Sequence, residues 1–348
     1  MTHDLRHALE LAQVAAREAG DILRADLHRA GGPRGGGDKA EADTEAELAI
    51  RSRLRAAFPA WAFLGEETGA VAGEPGAPLW LVDPNDGTRD YLKGRRGSAV
   101  SIGLLVERVP RLGVVYAFAY PDDDGDLFAW AEGQGPLARN GRPLDVRLPA
   151  RLGPADVVLL SSGGDDAPGR SRAWVVPARF RSVPSIAHRL ALVAAGEASA
   201  AVSLHRPCAW DYGAGHALLR GSGAALVDER GQEIAYGEDG TSACLNAFAG
   251  HSAVARALAA HEWATAAGRH EPLPTGFPVR LVPGAAVGDS GRLSRAHGCL
   301  LGQVSGDNLG ALVEFETAKG VAEAYADGPR ELADGGVWNL LAGQPTDD

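Results

Sequence analysis

Residues Leu79–Leu105 read LWLVDPNDGTRDYLKGRRGSAVSIGLL, and the organisation of the whole chain can be worked out from this stretch. Its first four residues have the apolar character of a buried strand, which we expect to end where Asp83 begins a loop. Pro84 fixes φ and Gly87 permits a tight backbone, so the carboxylates of Asp83 and Asp86 can be held close together. Two like charges at such a distance require a cation between them.

Gly87 and Thr88 are predicted to open a short helical turn directly after these acids. The free N–H groups and the positive dipole end of such a turn form an anion site, so a cation site and a phosphate site would be adjacent. The alternative for residues 83–88 is an ordinary surface turn, because Asp, Asn, Pro and Gly are the common turn residues.

The composition is that of a globular protein, with 348 residues, 45% hydrophobic and 23% charged. A formal net charge of -11 disfavours a nucleic-acid polymer or an anionic membrane as the main partner, since both bind basic surfaces. Three widely spaced cysteines without a CxxC pattern indicate neither a disulfide framework nor a zinc cluster. Residues 1–26 lack an apolar signal-peptide core, and no segment is apolar for about 18 residues in a row. These observations together predict a cytoplasmic protein.

Two amphipathic helices are predicted before the central stretch, over residues 3–29 and from about Thr44 to Phe58. Asp43 would then stand at the N-cap of the second helix, which is a common position for Asp. The strand at 62–65 leads into Glu66 and Glu67, whose side chains should point to opposite faces, so at most one of them can face Asp83 and Asp86. The alternative for the Glu-Glu pair is a solvated surface position.

Further elements are predicted along the remainder of the chain from apolar periodicity and turn residues. They are an antiparallel meander over 98–130, buried strands at 157–162 and 174–176 separated by a polar loop at 163–172, a helix at 186–196, a strand at 200–204, and a last core strand at 243–250.

Three motifs carry a family resemblance. The hexapeptide of residues 83–88 resembles the DPxDGT signature of the inositol monophosphatase family of Mg²⁺-dependent sugar and nucleotide phosphatases. Gly65-Glu66-Glu67 is similar to the family's GEE sequence, and residues 210–215 are similar to its WDxAAG signature. The resemblance extends over residues 1–268. Two departures are Gly213, where the family usually has Ala, and Asn85, where it prefers an aliphatic residue.

The resemblance implies roles for individual residues. The implied metal ligands are Glu66, Asp83, Asp86, Asp211, the backbone carbonyl of Asn85, and Asp43 at a weaker third position. Gly87 and Thr88 would hold phosphate oxygens, and Arg89, Ser185 and Arg189 would lie on the substrate side. Asp86 would act in catalysis by bridging metals, while Thr88 and either Glu66 or Glu67 would orient the attacking water. For Asp211, an N-cap position at the start of a helix is compatible with a ligand role.

The same resemblance implies an α/β (α+β) protein with the layered αβαβα sugar-phosphatase fold. It would use two or three Mg²⁺ to activate water against a small phosphorylated metabolite of the inositol or sugar phosphate class, and it could be a homodimer. Histidinol phosphate, a 3′(2′)-phosphorylated nucleotide and the 2′-phosphate of an NADP-like molecule are alternative substrates. An alternative of another class is a regulatory protein that binds a phosphorylated ligand without turnover.

The composition changes after residue 270. Residues 271–291 are rich in Pro and Gly, which predicts a linker between the phosphatase domain at 1–270 and a short helical segment at 292–348. Residues 296–315 resemble the opening helix of the ADP-ribosylglycohydrolases, and residues 343–348 resemble their metal-binding TDD turn. Glu314, Asp347 and Asp348 match site positions of that family, and we expect this segment to be an incomplete domain.

Overall fold

A computed structural model describes residues 4–166, 168–204, 206–261, 263, 290–326, 328 and 329. The chain divides into two compact units, Met1–Ala285 and Ala286–Asp348. Most of the predicted linker, together with Asp347 and Asp348, lies outside the described residues. Within the described part of the chain, no helix is both long enough and apolar enough to cross a membrane.

Seven helices belong to the described part of the first unit: α1 (Leu5–Leu27), α2 (Glu41–Ala57), α3 (Thr88–Tyr91), α4 (Pro168–Val175), α5 (Ile186–Ala194), α6 (Ala209–Ser222) and α7 (Ser252–Ala259). The second unit contains α8 (Ser290–Ala311) and α9 (Ala318–Ala324), with Glu314 half-buried just after α8. The short helical C-terminal segment that the sequence predicts is therefore present.

Fifteen strands form three sheets in the described residues. They are β1 (Gly35–Gly36), β2 (Lys39–Ala40), β3 (Ala62–Gly65), β4 (Gly69–Val71), β5 (Leu79–Asp86), β6 (Ala99–Val106), β7 (Val109–Ala117), β8 (Asp126–Ala131), β9 (Ala138–Arg139), β10 (Arg142–Pro143), β11 (Val157–Leu160), β12 (Arg179–Ser182), β13 (Ala200–Ser203), β14 (Ala225–Asp228) and β15 (Ala247–Gly250). The large sheet has the order β10-β9-β8-β7-β6-β5-β3-β4, the second has the order β12-β11-β13-β15-β14, and β1 pairs with β2.

The first unit is built in five layers, as the αβαβα fold requires. Helices α1 and α2 pack on one face of the eight-stranded sheet, while α5 and α6 cover its other face. The five-stranded sheet packs on the far side of α5 and α6, and α4 and α7 complete the outer layer. Because both faces of the large sheet are covered, every residue of β5 and β6 is buried.

Several local predictions were wrong. Residues 168–175 form α4, where a polar loop and a strand were expected, because a short apolar run such as Trp174–Val176 fits one face of a helix as well as a strand. The last core strand is confined to Ala247–Gly250. Strand β5 continues to Asp86 through a shift of register against β6 between Asp83 and Asp86, where a loop was expected. Such an irregularity re-aims side chains at the end of a strand.

Two glycines allow α6 to cross the large sheet closely. A Cβ atom built on Gly103 of β6 would lie 2.8 Å from the Ala214 nitrogen, and one built on Gly113 of β7 would lie 2.2 Å from the Ala214 carbonyl oxygen. On the helix side, Gly213 lies against Leu81 of β5, because a Cβ there would be 2.8 Å from a Leu81 methyl carbon. The departure from the family's Ala at residue 213 therefore matches this close approach.

We expect Gly113→Ala to destabilise the chain by about 1–3 kcal/mol, since the added methyl group overlaps helix backbone that cannot move without shifting α6. Urea unfolding followed by circular dichroism would measure this change. Gly36→Ala is the matched control, because a Cβ on Gly36 meets no atom within 4 Å among the described residues. Equal midpoints for both variants would contradict this account of the helix crossing.

Candidate active site

Two of the predicted acids lie at the carboxyl end of β5, and both are buried. The Asp83 Oδ1 atom accepts a hydrogen bond of 2.8 Å from the Asn85 backbone N–H. The Asp86 Oδ2 atom accepts 2.7 Å and 2.6 Å bonds from the Ser185 hydroxyl and the Ala187 backbone N–H. The second half of the chain therefore orients an acid that the first half supplies.

Asp43 joins this group from the first turn of α2. It is the third residue of the helix and not its N-cap, and its Oδ2 atom accepts a 3.3 Å bond from the Ala40 N–H. The Asn85 side-chain amide donates to Asp43 Oδ1 at 2.8 Å, and the Thr88 hydroxyl lies 3.1 Å from Asp43 Oδ2 and 2.9 Å from the Asn85 carbonyl oxygen. Asn85, the departure from the family pattern, thus connects α2 to the end of β5.

Glu47 supports the site, and the sequence analysis missed it. It is fully buried one helical turn after Asp43, and its carboxylate accepts 2.8 Å and 2.7 Å bonds from the backbone N–H groups of Glu67 and Thr68. A Cβ atom on Gly65 would lie 2.3 Å from a Glu47 oxygen, which accounts for glycine there. The sequence pattern that could have identified Glu47 is its spacing of four residues from Asp43, which places both acids on the same buried face of α2.

The two members of the Glu-Glu pair have different surroundings. The carboxyl group of Glu66 lies beside that of Asp83 and is acted on by the charges of Asp86 and Asp43, although Glu66 as a residue is exposed. Glu67 is half-buried. Its burial and the charge of Glu47 raise its pKa.

Asp211 enters the cluster from the start of α6. It is the third residue of that helix and not its N-cap, and its Oδ2 atom accepts a 2.8 Å bond from the Cys208 N–H. The Ser101 hydroxyl of β6 donates a 2.9 Å bond to the Trp210 carbonyl, which ties the start of α6 to the large sheet. Asp211 is half-buried, so the cluster reaches solvent at this residue and at Glu66.

The pKa values of the five acids in the cluster are all raised, and the cluster holds more carboxyl groups than can be charged together without a counter-charge. Burial, followed by the charges of Asp86, Glu67 and Asp43, raises the pKa of Glu66 to about 7. Burial raises the pKa of Asp43 to about 6, despite its hydrogen bonds. The pKa values of Asp83, Asp86 and Asp211 are raised for the same first reason, and nearby acids add to the rise at Asp83 and Asp211.

The predicted phosphate-binding residues follow immediately. Gly87 has a φ of 103°, a left-handed conformation that favours glycine, and it caps the four-residue helix α3 that Thr88 begins. A Cβ on Gly87 would also lie only 3.2 Å from the Ser98 hydroxyl and 3.4 Å from the Ser185 nitrogen. Gly87 and Thr88 are both half-buried, so they lie at the boundary between the acids and solvent.

The predicted substrate-side residues differ in position. Arg89 is exposed over 76% of its side chain and lies 3.9 Å from an Asp38 oxygen. Ser185 and Arg189 are buried, with 0% and 1% exposure, and the Ser185 hydroxyl and the two terminal nitrogens of Arg189 bond within the chain. The structure therefore corrects the expectation that Ser185 and Arg189 contact the substrate. Both side chains are enclosed, and they support Asp86 and the turn at residues 183–185.

The residues present fit a hard divalent cation in kind and in charge. All the donors are carboxylate, amide or carbonyl oxygens, which Mg²⁺ prefers, and the Asn85 Oδ1 atom is buried without a hydrogen-bond partner in the described structure. In the parts of the chain that the structure describes, no three His, Cys, Asp or Glu side chains converge closely enough to hold an ion as they stand. Their oxygens are turned toward Ser185, Ala187, Cys208 and Asn85, so some side chains must rotate when a cation binds.

Comparison with known families gives two matches on the chain. The inositol monophosphatase family matches residues 4–265, and the ADP-ribosylglycohydrolase family matches residues 288–348.

Named relatives and solved structures agree with the first match. Inositol monophosphatase 3 of Solanum lycopersicum is 32% identical over 241 residues, covering 65% of this chain and 87% of the relative. Inositol-1-monophosphatase of Rhizobium meliloti is 32% identical over 199 residues, covering 55% and 72%. The solved inositol monophosphatase of Anabaena is 27% identical, with a TM-score of 0.59, covering 74% of this chain and 95% of that one. The suhB protein of Bartonella henselae is 26% identical, with a TM-score of 0.61, covering 73% and 97%.

The raised pKa values predict how pH and Mg²⁺ act on stability. Since the folded chain binds protons at Glu66 and Asp43 that the unfolded chain releases, stability without metal should fall as pH rises from about 4 to about 7. Mg²⁺ binds the deprotonated acids, so its stabilising effect should increase over the same range. At 100 times the dissociation constant it is worth about 2.7 kcal/mol, or roughly 5 °C in Tm.

Thermal unfolding at pH 5 and pH 8, with and without Mg²⁺ at constant ionic strength, measures this dependence. K⁺ replaces Mg²⁺ in the control, and Glu66→Gln should reduce the pH dependence because it removes an acid whose pKa is raised to about 7. A gain in Tm from Mg²⁺ of the same size at both pH values would refute the competition between metal and protons.

Proposed function

The chain belongs to the inositol monophosphatase family, and from this premise we propose that it is a Mg²⁺-dependent phosphatase of small phosphorylated metabolites. It is a phosphoric monoester hydrolase of that class, as its relatives' names and structures indicate. The family is generally metal-dependent. The finer claims, which concern the ion, the residues that hold it and the substrate, are proposals that rest on the geometry of the acid cluster.

The observation that supports them most strongly is that acids from four separate segments of the chain lie in one cluster. Asp43 comes from α2, Asp83 and Asp86 come from β5, and Asp211 comes from α6, while Glu66 follows β3. Burying so many carboxylates is unfavourable unless a cation neutralises them. We assign Glu66, Asp83, Asp86, Asp211 and the Asn85 carbonyl as ligands of two or three Mg²⁺, with Asp43 at a weaker position.

When bound, Mg²⁺ would neutralise the substrate phosphate and lower the pKa of a bound water. The protein's own residues supply the positioning. The backbone N–H groups of Gly87 and Thr88 would bind phosphate oxygens at the start of α3. The Thr88 hydroxyl, which lies between the Asp43 carboxylate and the Asn85 carbonyl, would orient the attacking water together with Glu66. Glu67 is the other candidate for that role, since its charge acts on both Glu66 and Asp43.

One observation that bears on the substrate is the charge beside the phosphate-binding residues. Arg89 is the exposed cation next to the phosphate-binding residues, so it can contact a second anionic or hydroxyl group of the substrate. We propose an inositol or sugar phosphate. Histidinol phosphate and a 3′(2′)-phosphorylated nucleotide are alternatives that an assay of several esters would separate.

Asp86→Asn should lower kcat at least about a hundredfold, equivalent to about 2.7 kcal/mol, because it removes a ligand charge while keeping the shape of the side chain. Release of inorganic phosphate from inositol 1-phosphate at saturating Mg²⁺ measures it. The matched control is Asp156→Asn, since Asp156 accepts a bond from the Ser199 hydroxyl at the five-stranded sheet and lies outside the cluster. Turnover of Asp86→Asn close to that of the wild type would remove Asp86 from the site, and a wild type that binds Mg²⁺ without turnover would favour the regulatory alternative.

Arg89→Ala should change KM among substrates more than it changes kcat, because an exposed side chain beside the site contacts the substrate body and not the reacting atoms. Inositol 1-phosphate, histidinol phosphate and 2′-AMP form a suitable panel. Arg51→Ala on α2 serves as a control for the loss of one surface charge. An equal loss of kcat on all three esters would contradict the assignment of Arg89 to substrate choice.

A further inference from the structure

Arg189 on α5 is a buried cation without a direct ionic partner in the described structure. Its side chain is among the largest that are fully buried, with 1% exposure. Its Nη1 atom donates bonds of 2.6 Å and 2.8 Å to the carbonyl oxygens of Val183 and Pro184, and its Nη2 atom donates a 2.9 Å bond to the Ser203 hydroxyl. The acceptors are therefore neutral, and the Nε atom has no hydrogen-bond partner among the described residues.

Burying a charge in this way is costly, so the position requires a physical reason. The cluster supplies part of it, because the negative charges of Asp86 and Asp211 favour the charged guanidinium from a distance. Burial lowers the pKa of Arg189 to about 10, which still leaves it protonated at neutral pH. An apolar side chain of similar size would pack here without this cost, but it could not bond the two carbonyl groups.

Those two carbonyl groups belong to the turn that holds Asp86. Ser185 ends the turn, and its hydroxyl donates to Asp86 Oδ2 while accepting a 2.9 Å bond from the His188 N–H. Pro184 lies against the phosphate-binding loop, since a Cβ on Gly87 would be 3.4 Å from the Pro184 Cβ. Arg189, the turn and Asp86 thus form one continuous hydrogen-bonded unit. The guanidinium bonds the two carbonyl groups through Nη1 and the Ser203 hydroxyl through Nη2. Two nitrogens held in one rigid planar fork can serve both sets of acceptors together, which the single nitrogen of lysine cannot reproduce.

We propose that Arg189 is a positioning residue for metal binding: it fixes the turn of residues 183–185 so that Ser185 and Ala187 hold Asp86 in its binding orientation. The inference rests on the proposed function, because it concerns the ion that Asp86 would bind. Arg189 itself contacts neither the ion nor the substrate. Loosening the turn from either end should weaken Mg²⁺ binding through the same route.

Calorimetric titration with Mg²⁺ tests this without any turnover. Arg189→Lys keeps the charge and loses the fork, while Ser185→Ala removes the hydroxyl that reaches Asp86. We expect each to weaken Mg²⁺ binding about tenfold, and the double variant to be weakened about tenfold as well, because both changes break one unit and are not additive. The substrate KM should change less than the Mg²⁺ affinity.

Two matched controls separate this effect from a general loss of stability. Ser199→Ala breaks a serine–aspartate bond at Asp156, and Arg139→Lys alters an arginine bound to Asp126, both outside the cluster. Both controls should bind Mg²⁺ as the wild type does. If Arg189→Lys does not fold, Ser203→Ala replaces it, since it removes only the acceptor of Nη2 and should weaken Mg²⁺ binding severalfold.

The outcomes distinguish the two proposals. A wild-type chain that binds no Mg²⁺ and hydrolyses no phosphate ester would overturn the proposed function itself. A wild type that binds Mg²⁺ beside an Arg189→Lys or Ser203→Ala variant of equal affinity would overturn only the role of Arg189. Two further outcomes would overturn the role of Arg189. If the losses multiply in the double variant, the guanidinium acts independently of Ser185. If Arg189→Lys binds Mg²⁺ more tightly, the guanidinium acts as a charge that repels the metal.

Discussion

The mutual repulsion of carboxyl groups at the end of β5 is the constraint on which the rest of the site depends. Asp83 and Asp86 are buried next to each other, and Glu66 and Asp211 add to their field. Without a counter-charge such groups bind protons or separate. Hydrogen bonds oppose the separation of these acids. One runs from Asn85 to Asp83, and two run from Ser185 and Ala187 to Asp86. Proton binding is the remaining response, which is why the pKa values rise.

The architecture around the cluster keeps its parts in register. The irregular pairing of β5 with β6 re-aims Asp83 and Asp86, while Glu47 secures the turn that presents Glu66. Helix α6 brings Asp211 into place only because Gly103 and Gly113 let it approach the large sheet. The glycines of the sheet therefore contribute to the position of Asp211 although they lie far along the chain from it.

The strands, helices and acidic motifs that depend on local sequence could be predicted, and the errors lie where local sequence is ambiguous. The acids of residues 83–86 and Asp211 lie in short motifs whose turn residues and spacing are local properties. The helix at Pro168–Val175 was missed because an apolar run of three residues has no periodicity to read. Asp43 and Asp211 were expected at N-caps, yet each lies three residues after the N-cap, since capping statistics do not resolve single positions.

Glu47, Ser185 and Arg189 show a deeper limit on prediction from sequence. Each acts through backbone groups of a segment distant along the chain, so its role exists only in the folded arrangement. Buried polar groups of this kind are unfavourable unless every partner is in place, which makes the site dependent on the docking of both sheets onto α5 and α6. Without a counter-charge, the buried acids that these groups hold in place lower the stability of the chain. Carboxyl groups that repel one another in a buried position gain the most from a counter-charge, so the unfavourable burial of Asp83 and Asp86 is itself the source of the affinity proposed for a cation.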